Sequence, residues 1–407
     1  MPQSLRIGIV GGSISGMCAA IVLSRLGHVV TVYERTTTRL EDRGAALGCE
    51  QRAVERWKDL DLIDPDLVGI SPRNRVWCVK DGNSYLGRVL HEQPMAIQQL
   101  SWGNVYRQLL DRASTARFVR GVQIDNVVLL DQGARLEFEA HPSQDFDLVI
   151  GADGYMSTVR SCLFSSIETR FAGYVGWRGV VAESSGVDMN PVMESMQSVS
   201  TPQGNALFLM MPGVKGSVEP GHRGITFLWY EARTPTDILP ITVSREGVPL
   251  ISSIPPGQMS AGFRERLDTM ADELLPSWHA DIVHRSTDPF LQPIYDSRQD
   301  HYVRGRVCLL GDAASTARPH TGSGAAKGIE DAIALGQRLT EQDSVDAALA
   351  EYDTERVEAG DQVVKLGQAV GDDTVLNAPD WAASDPTTFA AWVEQGPQSR
   401  VYYHSHP

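Results

Sequence analysis

The chain has 407 residues, of which 42% are hydrophobic and 21% charged, and a formal net charge of -15. That length points to two domains, and the acidic balance disfavours nucleic acid or an anionic membrane as a partner. No apolar run approaches the ~18 residues of a membrane span, and the N-terminus runs straight into a strand with no room for a signal peptide, so a cytoplasmic protein is expected.

The chain is organised around its first forty residues. Arg6 to Val10 is a buried apolar run, Gly11-Gly12-Ser13-Ile14-Ser15-Gly16 follows at once, Met17 to Leu26 has helical periodicity, and Val29 to Tyr33 is a second strand ending at Glu34. Strand, glycine turn, helix, strand and acid make the βαβ unit that holds the adenosine end of a dinucleotide. Gly11 allows the tight turn and Gly16 the close packing of helix on sheet. The free N–H groups at the helix start favour a pyrophosphate. Glu34 lies at the spacing where an acid meets the ribose hydroxyls. Ser13 replaces the usual middle glycine with a small side chain that can donate a hydrogen bond.

Further along, Gly44 to Gly48 is a small-residue segment, open to close approach by a planar ligand or simply a loop. Arg75 to Val79 and Tyr85 to Leu90 read as a hairpin through Asp81-Gly82-Asn83. Ser101 caps a helix through Arg112, and Val119 to Leu130 pairs with Ala134 to Phe138. The apolar strand Phe146 to Ile150 ends in Gly151-Ala152-Asp153-Gly154, with Arg160 after it, and Val307 to Leu310 ends in Gly311-Asp312. Each puts an Asp just past the C-terminal end of a strand, where ligands bind in open α/β sheets.

Residues 171 to 296 change character, with apolar runs, turns rich in Gly and Pro, and one amphipathic helix from Arg264 to Leu275. This is a mostly β insertion suited to covering a ligand. Beyond Asp312, a loop with Pro319, His320, Gly322 and Gly324 leads into a long helix through Leu339, and a further helix spans Asp346 to Gly367. The loop's N–H groups can stabilise a developing anion. Residues 371–407 read as a loosely attached tail, with Trp381, Trp392, Tyr402 and Tyr403 as docking points. The expected fold class is α/β. A Rossmann-like dinucleotide-binding domain comprises 1–72, 97–170 and 297–370, with a β-rich domain of 73–96 and 171–296. Five cysteines with no CxxC pair read as reduced thiols, and no cluster has metal-ligand spacing.

The three motifs, in this order over residues 5 to 370, resemble those of the FAD-dependent aromatic hydroxylases of the para-hydroxybenzoate hydroxylase type, the class A flavoprotein monooxygenases. Gly12 to Gly16, Ala172 to Val175, Trp177-Arg178-Gly179, Trp229-Tyr230 and Arg318-Pro319-His320 are similar to the 2,6-dihydroxypyridine 3-hydroxylase group. The resemblance implies FAD as cofactor, NADH or NADPH as reductant, dioxygen, and a small electron-rich aromatic substrate, hydroxylated through a flavin C4a-hydroperoxide. It makes Gly11, Ser13, Ile14, Ser15, Gly16, Glu34, Arg35, Leu47, Asp153, Gly154, Gly311, Asp312, Gly322 and Gly324 candidates for FAD contact. Family members carry an FAD-binding arginine near residue 104; here Arg107, one helical step on, is carried over to that role. His320 is the candidate substrate base or a histidine that fixes its loop, with Pro319 packed near the flavin. Arg178 holds an anionic substrate or a structural ion pair. Trp229 and Tyr230 form a substrate lid or pack in the core. Epoxidation or Baeyer–Villiger insertion on the same fold, and a flavin-binding protein without turnover, are the alternatives. A homodimer is compatible with all of these.

Overall fold

The computed structural model describes residues 4–37, 46–164, 169–202, 204–234, 236, 244–247, 254 and 256–401. Gly44 and Ala45 of the small-residue segment, and Tyr402 and Tyr403 of the tail, lie outside the described residues. At the centre is a six-stranded sheet in the order Val303–Arg304, Val307–Leu309, Leu148–Gly151, Arg6–Val10, Val29–Glu34, Arg117–Arg120. All neighbours are parallel except the short first strand. Its inner strands are buried along almost their whole length, as parallel strands covered on both faces must be, and so read as apolar runs rather than alternations. The helices Ile14–Arg25 and Gly324–Glu341 pack together on this sheet. Gly336 is where they meet: a Cβ there would run into Val22.

A seven-stranded sheet forms the second layer, in the order Phe290–Asp296, Arg170–Ala182, Gly224–Ala232, Gly204–Met211, Ser195–Thr201, Asn74–Val79, Arg88–Pro94. It draws strands from both sides of the nucleotide-type sheet's third strand, and one pair, Ser195–Thr201 with Asn74–Val79, is parallel. One face packs on the helices Ala261–Leu274 and Ser277–Arg285, through Phe227, Trp229, Leu267 and Trp278. Only the first of these helices was expected from sequence. Pro276 ends it and opens the second.

Three expectations are corrected. Val119 to Leu130 is not one strand. Gly121, at φ +72°, breaks it, so that Arg117–Arg120 joins the parallel sheet and Ile124–Leu130 an antiparallel one. The hairpin's second strand begins at Arg88, later than expected, after a turn in which Ser84 and Gly87 bond each other. Residues 372–401 of the tail are held more closely than expected, with Trp381 and Trp392 docked as anticipated. Asp385 caps the helix Pro386–Gln395, and Trp381, Phe389 and Val393 bury themselves against Trp77, Val79 and Leu90. Arg88 pins the connection by donating to the carbonyls of Ala382 and Ser384.

Candidate active site

The glycine turn behaves as its spacing requires. Gly11 adopts φ +101°, and a Cβ on it would strike the Ala152 carbonyl; one on Gly16 would strike the Gly11 carbonyl. Both positions are therefore closed to any side chain. The Glu34 carboxylate accepts from the N–H groups of Gly12 and Thr36, at 2.8 Å each, closing the turn around the end of the second strand. Ser13 starts the helix without using its hydroxyl as a cap, and the first-turn N–H groups face outward.

These residues open onto a groove of ≈ 540 Å³. Gly11, Ser13, Ile14, Ser15, Glu34 and Arg35 form one wall, and Leu47, Asp153, Gly154, Asp312 and Gly324 also line it. The second and third motifs are physically joined. The Asp153 carboxylate accepts from Ser157 Oγ (2.5 Å) and from the N–H groups of Thr158 and Val159, so it caps the short helix Thr158–Leu163. Arg160 of that helix donates to the carbonyls of Ala313 (3.0 Å) and Asp312 (3.3 Å), and also to that of Tyr155. Burial holds the Asp153 and Asp312 carboxyls above the usual carboxylate range; at Asp312, Lys327 pulls the other way.

Gly311 is held from behind by residues the sequence reading did not pick out. Asp331, fully buried, accepts the Gly311 N–H (2.8 Å), Lys327 Nζ (2.8 Å) and Arg356 Nε (2.7 Å), while Lys327 Nζ also donates to the Gly311 carbonyl (3.1 Å). Both backbone polar groups of one residue, Gly311, are thus fixed by one carboxylate–ammonium pair. Burial works against the Lys327 charge, and the attraction of Asp331 overcomes it, leaving its pKa above the ordinary value. The available signal was a Lys and an Asp four positions apart on an otherwise apolar helix face.

A cavity of ≈ 320 Å³ adjoins the groove. Ala46, Leu47, Arg178, Gln292, Asp312, Gly324 and Ala325 line both. The cavity's walls are Ile97, Met196, Leu207, Leu209, Leu228 and Ile294, with Tyr155 and Tyr295 at one side. Pro319, Gly322 and Gly324 of the third motif's loop also line it. Gly322 takes φ +62° to turn the chain into the long helix.

Not every candidate reaches these spaces. The His320 ring turns away from both: Nε2 lies 2.8 Å from the Tyr174 hydroxyl, and the ring centroid is 4.2 Å from that of Tyr230. Burial, then the charges of Arg318 and Arg75, depress its pKa to about 3. It fixes its loop. Trp229 and Tyr230 are 1% and 0% exposed, on opposite faces of one strand, and neither lines the cavity, which removes the lid reading. Among the described residues Arg107 donates to Asn104 (3.3 Å), and it lines neither space. Trp102, stacked on Tyr106, lines the groove at that helix start instead. Gly16 and Gly311 lie behind the groove wall. Arg178 is the substrate candidate that does reach the cavity. Its Nε is buried without a hydrogen-bond partner, and burial lowers its pKa, with Tyr230 opposing.

Comparison with known proteins agrees with this geometry. The family described as "FAD binding domain" matches residues 4–224 and 264–366, and one described as "FAD binding domain-like" matches 171–296. A 2,6-dihydroxypyridine 3-monooxygenase of Paenarthrobacter nicotinovorans is 28% identical over 88% of this chain and 89% of its own. An FAD-dependent urate hydroxylase of Mycolicibacterium vanbaalenii is 26% identical over 96% and 92%. Among solved structures, 2,6-dihydroxypyridine-3-hydroxylase from Arthrobacter nicotinovorans superposes with a TM-score of 0.85 at 23% identity, covering 95% of this chain and 96% of that one. A salicylate hydroxylase substrate complex gives 0.72 at 20% identity, covering 98% and 95%.

Proposed function

The chain belongs to the FAD-binding-domain family and is an FAD-dependent aromatic hydroxylase, and from that premise we propose that its substrate is a hydroxypyridine-like N-heteroaromatic ring. The observation that carries the proposal is one cavity, walled by aliphatic side chains, that opens onto the nucleotide groove beside the loop Pro319 to Gly324. The relative named for a dihydroxypyridine, aligned over nearly its whole length, supports the ring type.

The groove fits FAD on its own terms. Gly11 and Gly16, where any Cβ would strike backbone, let the turn close tightly beneath the groove, the helix start offers N–H groups, and Glu34 stands at the far end of the turn. Ser13, Ile14 and Ser15 would face the pyrophosphate, Glu34 and Arg35 the adenosine end, and Asp312 and Leu47 the stretch toward the ring. Bound FAD supplies hydride acceptance from NADH or NADPH and activation of dioxygen. What the protein adds is placement and exclusion of water. Leu207, Leu209, Leu228 and Ile294 give a planar ring an apolar seat, while Pro319 and the turn at Gly322 define the side from which oxygen reaches it. The N–H groups at the start of the helix Gly324–Glu341 favour negative charge beside that turn.

The test is direct. Purified protein should carry FAD, and 2,6-dihydroxypyridine should accelerate NADH or NADPH oxidation and yield a product heavier by one oxygen atom. Stimulation by salicylate or urate in its place would reject the hydroxypyridine reading while keeping the hydroxylase.

A further inference from the structure

We propose that Gln99 reads the lactam edge of the substrate, the ring N–H and adjacent C=O that a 2-hydroxypyridine ring carries in its pyridone form; this deepens the hydroxypyridine reading and rests on it. The starting point is a buried carboxamide with nothing to bond. Gln99 is 4% exposed, yet its side chain makes no hydrogen bond with any described residue. It lines the cavity and not the groove, so a nucleotide in the groove does not account for it. An amide shut away from water without a partner is costly, and a ligand with matching groups removes that cost.

The backbone holds this amide in place. The strand Ile97–Ser101 pairs antiparallel with Ala46–Glu50, and Gln99 lies directly opposite Gly48. A Cβ on Gly48 would stand 3.0 Å from Gln99 Nε2 and 3.5 Å from Oε1, so the amide lies across a residue that has no side chain. The small-residue segment ending at Gly48 thus gives the amide its seat. On its other side Gln99 exchanges both backbone hydrogen bonds with Ile70, at 2.7 and 2.9 Å. The pleat sends Ile97 to the same side, and the two line the cavity together. Other polar side chains on the cavity are engaged or shared. Thr226 donates to the Gly179 carbonyl and Thr316 to that of Asp312, Arg318 is paired with Asp296 and Asp372, and Arg178 and Gln292 line the groove as well. A planar carboxamide offers a donor and an acceptor side by side. A pyridone edge offers the complementary acceptor and donor in one plane, so the two close a ring of two hydrogen bonds. A phenol, with a single oxygen, cannot.

The test titrates ring compounds into the FAD-loaded protein, followed by flavin absorbance and by calorimetry. 2-Pyridone should bind about 10-fold or more tightly than phenol. N-methyl-2-pyridone, which keeps the carbonyl and loses the N–H, should fall about 10-fold or more below 2-pyridone. Gln99→Met keeps the length of the side chain and removes the amide. It should weaken 2-pyridone by about 10-fold or more, close the gap to N-methyl-2-pyridone, and leave phenol within about 2-fold. FAD content and the thermal midpoint should be kept, because the substitution removes an unbonded amide, and this separates lost recognition from misfolding. Should Gln99→Met fail to fold, Gly48→Ala, which crowds the amide without removing it, should weaken 2-pyridone alone in the same way. Unchanged 2-pyridone affinity in the folded variant, or N-methyl-2-pyridone binding the parent as tightly as 2-pyridone, overturns the proposal. So does an equal loss of phenol affinity, since the substitution would then have reshaped the cavity. Gln99-dependent binding of 2-pyridone without accelerated NAD(P)H oxidation by 2,6-dihydroxypyridine would instead sink the hydroxylation reading alone.

Discussion

The groove and the cavity are neighbours built on opposite principles. The groove is lined by turns whose backbone is fixed by side chains behind it: Glu34 holds Gly12, Arg160 holds Asp312 and Ala313, and Asp331 with Lys327 holds the N–H and the carbonyl of Gly311. Its polar groups are answered before any ligand arrives. The cavity is the reverse, an aliphatic seat around one guanidinium that nothing described answers. A region for a constant cofactor can be completed in advance.

The sharpest way to break this contrast is Asp331→Ala. It strands Lys327 and Arg356 and frees the Gly311 N–H in one change. Urea unfolding should show a loss of about 3–5 kcal/mol, with FAD released during gel filtration. A variant that kept both stability and FAD would mean the groove is not held from behind. Gly11→Ala should come next, costing about 2–4 kcal/mol through a left-handed φ and the clash with Ala152, and FAD affinity should collapse while isolated binding of ring compounds is not restored by added FAD.

Acidification should sharpen the contrast on the substrate side. Burial depresses His279 and His320 to about 3, so both are neutral in the folded chain. Unfolded histidines protonate near ~6.5, so this stability is complete above that pH and declines as the pH falls toward 3, by about 1.4 kcal/mol per pH unit per histidine. His279 lies between Phe208 and Trp278, 4.8 Å from each, with neither ring nitrogen bonded. His279→Phe should therefore reduce the slope of urea midpoint against pH between 6 and 4 by about one proton. An unchanged slope would show that this ring protonates without unfolding. The smallest effect belongs to the docked tail. Phe389→Leu, in the cluster with Trp77 and Trp381, should cost about 1 kcal/mol and leave FAD retention as it was. Loss of FAD in that variant would tie the tail to the groove.

Much of the groove was legible because its requirements are local. A left-handed turn needs glycine, a helix start needs small residues, and a strand end needs an Asp, all within a few positions of one another in the chain. The same logic fails for His320, one residue from a loop that does line the cavity: a single turn of backbone decides which way a ring points, and here Tyr174, far away in sequence, captured it. At the helix Trp102–Arg112 likewise, Trp102 lines the groove and Arg107, one helical step on, does not.

By itself, then, the sequence determined the strand-and-turn pattern of the three motifs and the cofactor they imply, since these depend on backbone conformations only certain residues allow. The tertiary structure alone decided that Asp331 and Arg356 brace Gly311, that the tail buries its aromatics on the outer strands, and that Arg178 has no ion-pair partner among the described residues and lines the cavity with leucines from other strands. Burial and pairing are properties of neighbours in space, and the pleat of a strand sends adjacent residues to opposite faces, so only the packed sheet settles which of them meets a ligand.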